Sequence, residues 1–156
     1  MKELLFGTAG IPLSSNPRTT ADGIEHVRKL GLGAMELEFV HNINISKEKA
    51  PIVRKAAEEN DIVLTCHAPY YINLNSVEKA KINASIGRII DSARILNLCG
   101  GYSVCFHSGF YMGQSPENVY NTIKDNLKEI SSTLKRENNN IWIRQETTGK
   151  ETQFGN

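Results

Sequence analysis

The sequence predicts an α/β fold, a partial (β/α)8 TIM barrel made of about four βα units and a fifth strand. Strand-like and helix-like segments alternate along the chain, which is typical of a parallel sheet with right-handed crossovers. His67, His107 and Glu146 stand at the C-terminal ends of three successive predicted strands, the edge at which a barrel carries its active site. One predicted strand alternates apolar with acidic residues, whereas strands of an open sheet covered on both faces are apolar throughout.

The first βα unit begins with a predicted strand over residues 2–7, followed by a loop rich in glycine, proline, serine and asparagine. A helix is predicted over residues 19–30, because Ile24, Val27 and Leu30 recur at helical spacing. These apolar side chains are expected to form the buried stripe of the helix.

The second unit begins with a strand over residues 34–40, whose side chains alternate between two faces. We expect its apolar residues to face the helices and its two acidic residues to point inward; the first set is Met35, Leu37 and Phe39, and the second is Glu36 and Glu38. A helix over residues 47–60 follows, with Ser46 as the predicted N-cap.

The third unit combines a strand over residues 61–67 with a long helix over residues 77–98, which carries apolar residues at helical spacing. Gly100 and Gly101 end this helix, since glycine adopts the left-handed C-terminal conformation at little cost. Residues 102–107 form the fourth predicted strand.

The fourth helix begins at Ser115 and Pro116, with serine as N-cap and proline at the first helical position. A fifth strand is predicted over residues 141–146, with Trp142 and Arg144 pointing inward. We expect the arginine to pair with the inward glutamates of the second strand, since buried charges require partners.

The composition of the chain excludes several classes of protein. The chain has 156 residues, 40% of them hydrophobic and 22% charged, with a formal net charge of +1. It holds no apolar run near the roughly 18 residues that a membrane span requires, and its N-terminus is unlike a signal peptide. Three irregularly spaced cysteines favour reduced thiols, so we expect a cytoplasmic protein. Because the net charge is near zero, bulk electrostatic attraction alone would not hold this chain on nucleic acid.

Chain length has a consequence for the barrel. A complete barrel requires about 250 residues, so we expect residues 1–156 to be one domain, the N-terminal half of a TIM barrel. Strands one and five would then be unpaired edges beside an exposed apolar layer. We therefore expect self-association through these edges, aggregation, or pairing with a separate C-terminal half.

The strand-end residues suggest a metal site. Taken alone, His67 is either a metal ligand or general base, or a histidine that packs at the strand end. His107 repeats the placement one unit later, about one strand spacing away, roughly 5 Å. Glu146 follows on the next strand, and two imidazoles with one carboxylate are a known ligand set of catalytic zinc. The three residues together favour a metal.

Three neighbours of this site have more than one interpretation. Cys105 precedes His107 on the same strand face and is expected to point into the barrel beneath it, as a small core residue rather than a ligand. Tyr70 and Tyr71 follow the third strand; exposed, they could stack on a base or enter a duplex, but one ring could instead pack on the barrel rim.

Three segments together resemble the signatures of one enzyme family. HAPYYINLNS, FHSG and ETTGKETQFGN resemble endonuclease IV, a family of zinc-dependent apurinic/apyrimidinic endonucleases with a xylose isomerase-like TIM barrel. The FGTAGIP start and the MELEFVH segment are most similar to its archaeal-type branch. The resemblance implies a role in DNA base excision repair, in which the phosphodiester bond 5′ to an abasic site is hydrolysed by an enzyme that holds three zinc ions.

The resemblance also implies roles for individual residues. His67 and His107 match the two histidine ligands of one zinc, and Glu146 matches the catalytic carboxylate that bridges this zinc to a second. Tyr70 and Tyr71 match the loop positions that enter DNA beside the abasic site. Other family ligands come from strands six to eight, so we expect about one fully liganded Zn²⁺ and very weak or no nuclease activity from this chain alone.

Two other functions stay open. One is a sugar isomerase or epimerase of the related xylose isomerase-like barrels, which also place histidine and glutamate on a metal. The other is a non-catalytic remnant or assembly subunit with a vestigial metal site.

Overall fold

The computed structural model describes residues 4–155, in which strands and helices alternate as predicted. The strands are β1 (Gly7–Ala9), β2 (Ala34–Glu38), β3 (Val63–His67), β4 (Ser103–His107) and β5 (Trp142–Glu146). The helices are α1 (Thr20–Lys29), α2 (Ala50–Glu59), α3 (Lys79–Leu98) and α4 (Pro116–Arg136).

All five strands are parallel and lie side by side in chain order, from β1 to β5. A doubly wound sheet would instead reverse its strand order at a switch point. Sequential order, with a helix after each of the first four strands, is the arrangement of a barrel wall. The prediction of an α/β, partial TIM barrel fold is confirmed.

The buried core lies between the helices and the outer face of the sheet, and alternation along each strand determines which residues enter it. In β2 the burial alternates, with Met35 and Leu37 buried and their neighbours half-buried. The largest fully buried side chains come from strands, helices and loops alike: Phe39, Phe106, Ile24, Met35, Leu64, Leu74, Ile89, Leu96, Ile123 and Ile130. This core holds the strands in the register that positions their C-terminal ends.

The inner face of the sheet carries the other side-chain set. Register pairs Glu38 with His67 and His67 with Cys105, while Cys105 pairs with Arg144. Trp142 lies on the same face, 62% exposed, with its ring stacked on Tyr102 at 5.9 Å. The predicted inward direction of the acidic residues of β2 and of Trp142 and Arg144 agrees with this register and burial.

Two predicted element starts differ from the structure by three residues or more. The first strand was expected over residues 2–7, but β1 covers Gly7–Ala9; residues 2 and 3 lie outside the described residues. The second helix does not begin after a Ser46 cap, since its N-cap is Lys49, without a side-chain hydrogen bond. Pro51 lies in the first turn of α2, where its missing N–H costs nothing, so the helix begins beside it.

The predicted pairing of Arg144 with Glu36 and Glu38 is also wrong: within residues 4–155, Arg144 forms no ion pair. The glutamates lie on β2 and the arginine on β5, three strand spacings or roughly 14 Å apart. None of the helices in the described part of the chain has the length and apolar character needed to cross a membrane.

Candidate metal centre

The side chains of His67, His107 and Glu146 meet at the C-terminal edge of the sheet. Each is the last residue of its strand, on β3, β4 and β5 respectively. Nε2 of His67 lies 3.3 Å from Oε2 of Glu146, and Nε2 of His107 lies 3.5 Å from the same oxygen. The potential ligand atoms all lie within 4.8 Å of one another.

The strand register explains how these side chains converge. His107 pairs directly with Glu146 across β4 and β5, whereas His67 pairs with Cys105 and so lies one pleat behind them. The histidine rings nevertheless lie 5.4 Å apart between centroids, tilted by 51°. In spite of this stagger of two residues, both imidazoles reach the same carboxylate oxygen of Glu146.

A backbone contact orients the His67 ring. Its Nδ1 lies 2.8 Å from the carbonyl oxygen of Ala68, and the residue is only 9% exposed. A carbonyl can only accept, so Nδ1 carries the proton and Nε2 presents its lone pair to the other two side chains. Metal-binding histidines are typically oriented by such a second hydrogen bond.

The spacing of the donor set fits a divalent metal ion, for which zinc serves as the reference. Two ligands of tetrahedral zinc, each about 2.0–2.1 Å from the ion, lie about 3.4 Å apart. The nitrogen–oxygen separations of 3.3 and 3.5 Å at Glu146 match that spacing. Two imidazoles and one carboxylate leave a fourth position open, which is typical of catalytic rather than structural zinc sites.

Further ionisable groups surround this cluster on the inner face. Burial and the carboxylate of Glu36 raise the pKa of Glu38 above its ordinary value. Cys105 lies half-buried on the inner face, with Sγ 3.7 Å from Oε2 of Glu146, so its interpretation as a core residue is wrong. Burial, and then the charge of Glu146, raise the pKa of this thiol. Its strand position alternates away from the helices, which is why it misses the core.

The two tyrosines lie on the rim beside the cluster, both exposed. Tyr70 is 60% exposed and its ring meets His67 edge-on at 5.5 Å. Tyr71 is 59% exposed, with its hydroxyl 3.4 Å from Nδ1 of His41. Neither ring is buried in the rim, so both present aromatic surface beside the candidate metal ligands.

Nothing in the sequence indicated that Arg88 on α3 contributes to the site, because the residues around it have the pattern of a solvent-exposed helix face. Its Nη1 donates a hydrogen bond of 3.1 Å to the carbonyl of Tyr71, and its guanidinium lies 6.0 Å from the centre of that ring. The role of the Ala68 carbonyl was equally hidden, because every residue has a carbonyl. Only the packing of α3 and the turn after β3 bring these groups to the site.

Comparison with known proteins places this geometry in a family. Residues 24–156 match the family described as xylose isomerase-like TIM barrel. An uncharacterized protein of Methanocaldococcus jannaschii is 46% identical over 152 residues, which cover 97% of this chain and 54% of that protein. The chain therefore spans about half the length of this relative.

Similar solved structures include sugar epimerases and a nuclease. A D-tagatose 3-epimerase-like protein superposes with a TM-score of 0.76 at 15% identity, over 97% of this chain and 56% of that one. Endonuclease IV from Thermus thermophilus has a TM-score of 0.69 at 19% identity, over 90% and 52%. D-psicose 3-epimerase has a TM-score of 0.69 at 20% identity, over 90% and 50%. At such identities the likeness shows the fold alone. On the family match, the chain belongs to the xylose isomerase-like TIM barrel family.

Proposed function

We propose that this protein acts in DNA base excision repair as an endonuclease IV-like, zinc-dependent apurinic/apyrimidinic endonuclease. The observation that carries the proposal is the convergence of two imidazoles and one carboxylate beside two exposed tyrosines. The chain spans about half the length of the relatives that it matches. Cleavage of abasic DNA is therefore proposed for a protein of the full length of those relatives. For residues 1–156 we expect zinc binding and recognition of abasic DNA, with very weak or no cleavage.

The metal ligands in this proposal are His67, His107 and Glu146. A bound zinc ion supplies a Lewis acid for the phosphoryl group and lowers the pKa of water. The chain's own contribution is orientation: Ala68 fixes the His67 ring, and Glu146 lies between both imidazoles. The contacts of Glu146 with both imidazoles are made by one of its oxygens, Oε2, and the resemblance to endonuclease IV implies that this carboxylate would hold a second zinc ion as well.

Tyr70 and Tyr71 are the proposed DNA contacts. The amide of Tyr70 donates to the carbonyl of Val40 at 3.1 Å, which fixes the start of the loop. Arg88 and His41 hold Tyr71 from two sides. An abasic site leaves a gap in the base stack, and an aromatic ring that enters this gap recovers part of the lost stacking.

Binding to damaged DNA tests the proposal. The zinc-loaded chain is titrated against a labelled duplex that holds one tetrahydrofuran abasic site, and against the same duplex intact, with fluorescence anisotropy as readout. We expect a preference for the abasic duplex that Tyr70→Ala lowers about tenfold, since a stacking contact contributes roughly 1–3 kcal/mol. Tyr120→Ala is the matched control, because Tyr120 is 55% exposed on α4. Equal affinity for both duplexes contradicts the proposal.

The competing function is sugar epimerisation, since epimerases are among the solved structures that share this fold. Incubation with D-psicose, followed by proton NMR, detects interconversion at C3. Ketose conversion that His67→Ala abolishes, without any preference for abasic DNA, would assign the metal centre to sugar chemistry and overturn the repair function.

A further inference from the structure

The loop that leaves β4 is held by a tight turn in the loop that leaves β3. The backbone amide of Leu74 donates to the carbonyl of Ser108 at 2.8 Å. The side-chain amide of Asn75 donates to the carbonyl of Phe110 at 2.9 Å. Both accepting carbonyls lie within three residues of His107, so the turn restrains the backbone that carries this imidazole.

Asn73 begins this turn, and its side chain is half-buried between the two loops. One atom of the carboxamide faces two backbone amides, that of Asn75 at 3.1 Å and that of Phe110 at 3.4 Å. A backbone N–H can only donate, so this atom is the carboxamide oxygen, Oδ1. The same oxygen therefore closes the turn and binds the loop that leaves β4.

Gly109 allows the carboxamide to approach the loop so closely. A Cβ at this position would lie 2.5 Å from Oδ1 of Asn73, nearer than a side chain can pack. Its φ of +148° is also a conformation that residues with a side chain rarely adopt. The loop and the carboxamide are therefore in direct contact.

The asparagine is supported by α3 and by the core. Its backbone amide donates to Oγ of Ser85 at 2.9 Å, and this hydroxyl donates to the carbonyl of Lys81 at 2.8 Å. Ser85 is buried on α3. Ile72 and Leu74, the neighbours of Asn73 in the chain, are buried as well. The position of the carboxamide is thus determined by packed elements on its other side.

A second contact ties the same loop to the strand that carries Glu146. Oγ of Ser108, only 2% exposed, donates to Oε1 of Gln145 at 2.6 Å, and Gln145 precedes Glu146 on β5. The loop that follows His107 is therefore fixed between Asn73 and β5. These restraints act on the backbone next to the pair in which Nε2 of His107 lies 3.5 Å from Oε2 of Glu146.

We infer that Asn73 is a positioning residue for His107, which it holds against Glu146 through the backbone of the loop that leaves β4. The inference rests on the proposed function in that the cluster of His67, His107 and Glu146 is taken to bind a metal. Without the carboxamide oxygen the amide of Phe110 loses its acceptor, and the loop is held at one point fewer. Weaker metal binding follows, because the ligand is then less well oriented.

Zinc titration of variants at Asn73 tests this role. Groups that orient a metal ligand typically contribute about 10- to 100-fold in affinity. Asn73 acts through the backbone, so for Asn73→Leu, which removes the oxygen, we expect the lower end, about tenfold. Asn73→Asp keeps an accepting oxygen and should restore most of the affinity. Asn126→Leu is the matched control, because Nδ2 of Asn126 donates to the carbonyl of Leu74 at 2.8 Å, in the same turn.

Asn73→Ser separates closure of the turn from positioning of the loop. The shorter side chain can still accept the amide of Asn75, as serine does in such turns, but it does not extend to Phe110. We expect Asn73→Ser to fold and to lose zinc affinity like Asn73→Leu. Wild-type affinity in Asn73→Ser would overturn the inference.

Cobalt substitution reports the geometry of the site directly. Co²⁺ binds the same nitrogen and oxygen ligands as zinc, and its visible absorption depends on how they are arranged. Asn73→Leu should change this spectrum, whereas Asn73→Asp and Asn126→Leu should retain it. An asparagine with a purely structural role would lower stability to urea, yet leave zinc affinity and the cobalt spectrum unchanged. That result, or equal losses of zinc affinity in Asn73→Leu and Asn126→Leu, argues decisively against positioning.

A measurement in EDTA separates this inference from the proposed function. NMR of the chain with ¹⁵N-labelled histidine rings should show that Asn73→Leu shifts the ring signals of His107 and leaves those of His26 in place, since His26 lies on α1 and contacts Ser14. A chain that binds no zinc but shows this shift contradicts the proposed function and supports the positioning role. Unchanged His107 signals in Asn73→Leu refute that role.

Discussion

At the scale of single residues, the candidate metal centre depends on orientation as much as on proximity. Nε2 of His67 points at Glu146 because the Ala68 carbonyl holds Nδ1 on the other side of the ring. His107 is more exposed than His67 and shares the same carboxylate oxygen. One buried ring of fixed direction and one more accessible ring make a site that can be loaded from the open mouth.

Replacement of either histidine tests this arrangement. Removing a group that hydrogen-bonds to a metal ligand typically lowers metal affinity about 10- to 100-fold. Because His67→Ala or His107→Ala removes the ligand itself, each should lower zinc affinity by more than about a hundredfold. His41→Ala is the control, since His41 contacts Tyr71 and lies outside the cluster. Isothermal titration calorimetry should give about one zinc per chain. A stoichiometry near three would show that the ligand count is wrong.

At the scale of elements, the two loops that follow β3 and β4 support each other. The side-chain amide of Asn75 donates to the carbonyl of Phe110 at 2.9 Å, and the amide of Leu74 donates to the carbonyl of Ser108 at 2.8 Å. Asn75 is buried, so its hydrogen bond is one that folding must keep. These bonds join the loop that follows His67 to the loop that follows His107.

The start of α4 offers a measurable prediction at this scale. Oγ of Ser115 accepts the amide of Asn118 as an N-cap, and Pro116 begins the helix. Ser115→Ala should lower the free energy of unfolding by about 1 kcal/mol, since the amide loses its acceptor. Urea denaturation measures the change.

Ser132→Ala, on the exposed side of the same helix, is the control for that substitution. It should leave stability unchanged or raise it slightly, because alanine is the better helix former. Equal effects of the two substitutions would exclude a capping role for Ser115.

At the scale of the whole molecule, the described residues form five adjacent strands of the eight that close a TIM barrel. β1 and β5 each have one neighbouring strand among these residues, and the inner face is open. Trp142 and Tyr102 form an exposed aromatic stack there. Open strand edges and exposed aromatic surface both favour association with another polypeptide.

Self-association of residues 1–156 is therefore expected. Sedimentation velocity should show species heavier than the 17.4 kDa chain that grow with concentration. Trp142→Lys should reduce them, whereas Leu30→Lys, which changes an exposed apolar residue at the end of α1, should not. A single 17.4 kDa species at all concentrations would contradict the expectation.

Much of this protein was determined by its local sequence pattern. The alternation in β2 and the helical spacing of apolar residues predicted the order of the strands and helices, and which face of each is buried. Both patterns depend only on neighbours a few residues away in the chain, so the sequence alone reveals them. The same reasoning placed His67, His107 and Glu146 at one edge of the sheet, since parallel strands end on the same side.

The tertiary structure alone decided how these groups meet. The stagger between His67 and His107 follows from strand register, and the separation of Arg144 from the glutamates of β2 follows from strand order. The turn that follows β5 lies beside the loop that follows β4, because Phe110 and Gln153 pair although they lie far apart in the chain. Long-range pairing of this kind is set by the packing of the whole sheet, and no local spacing in the chain encodes it.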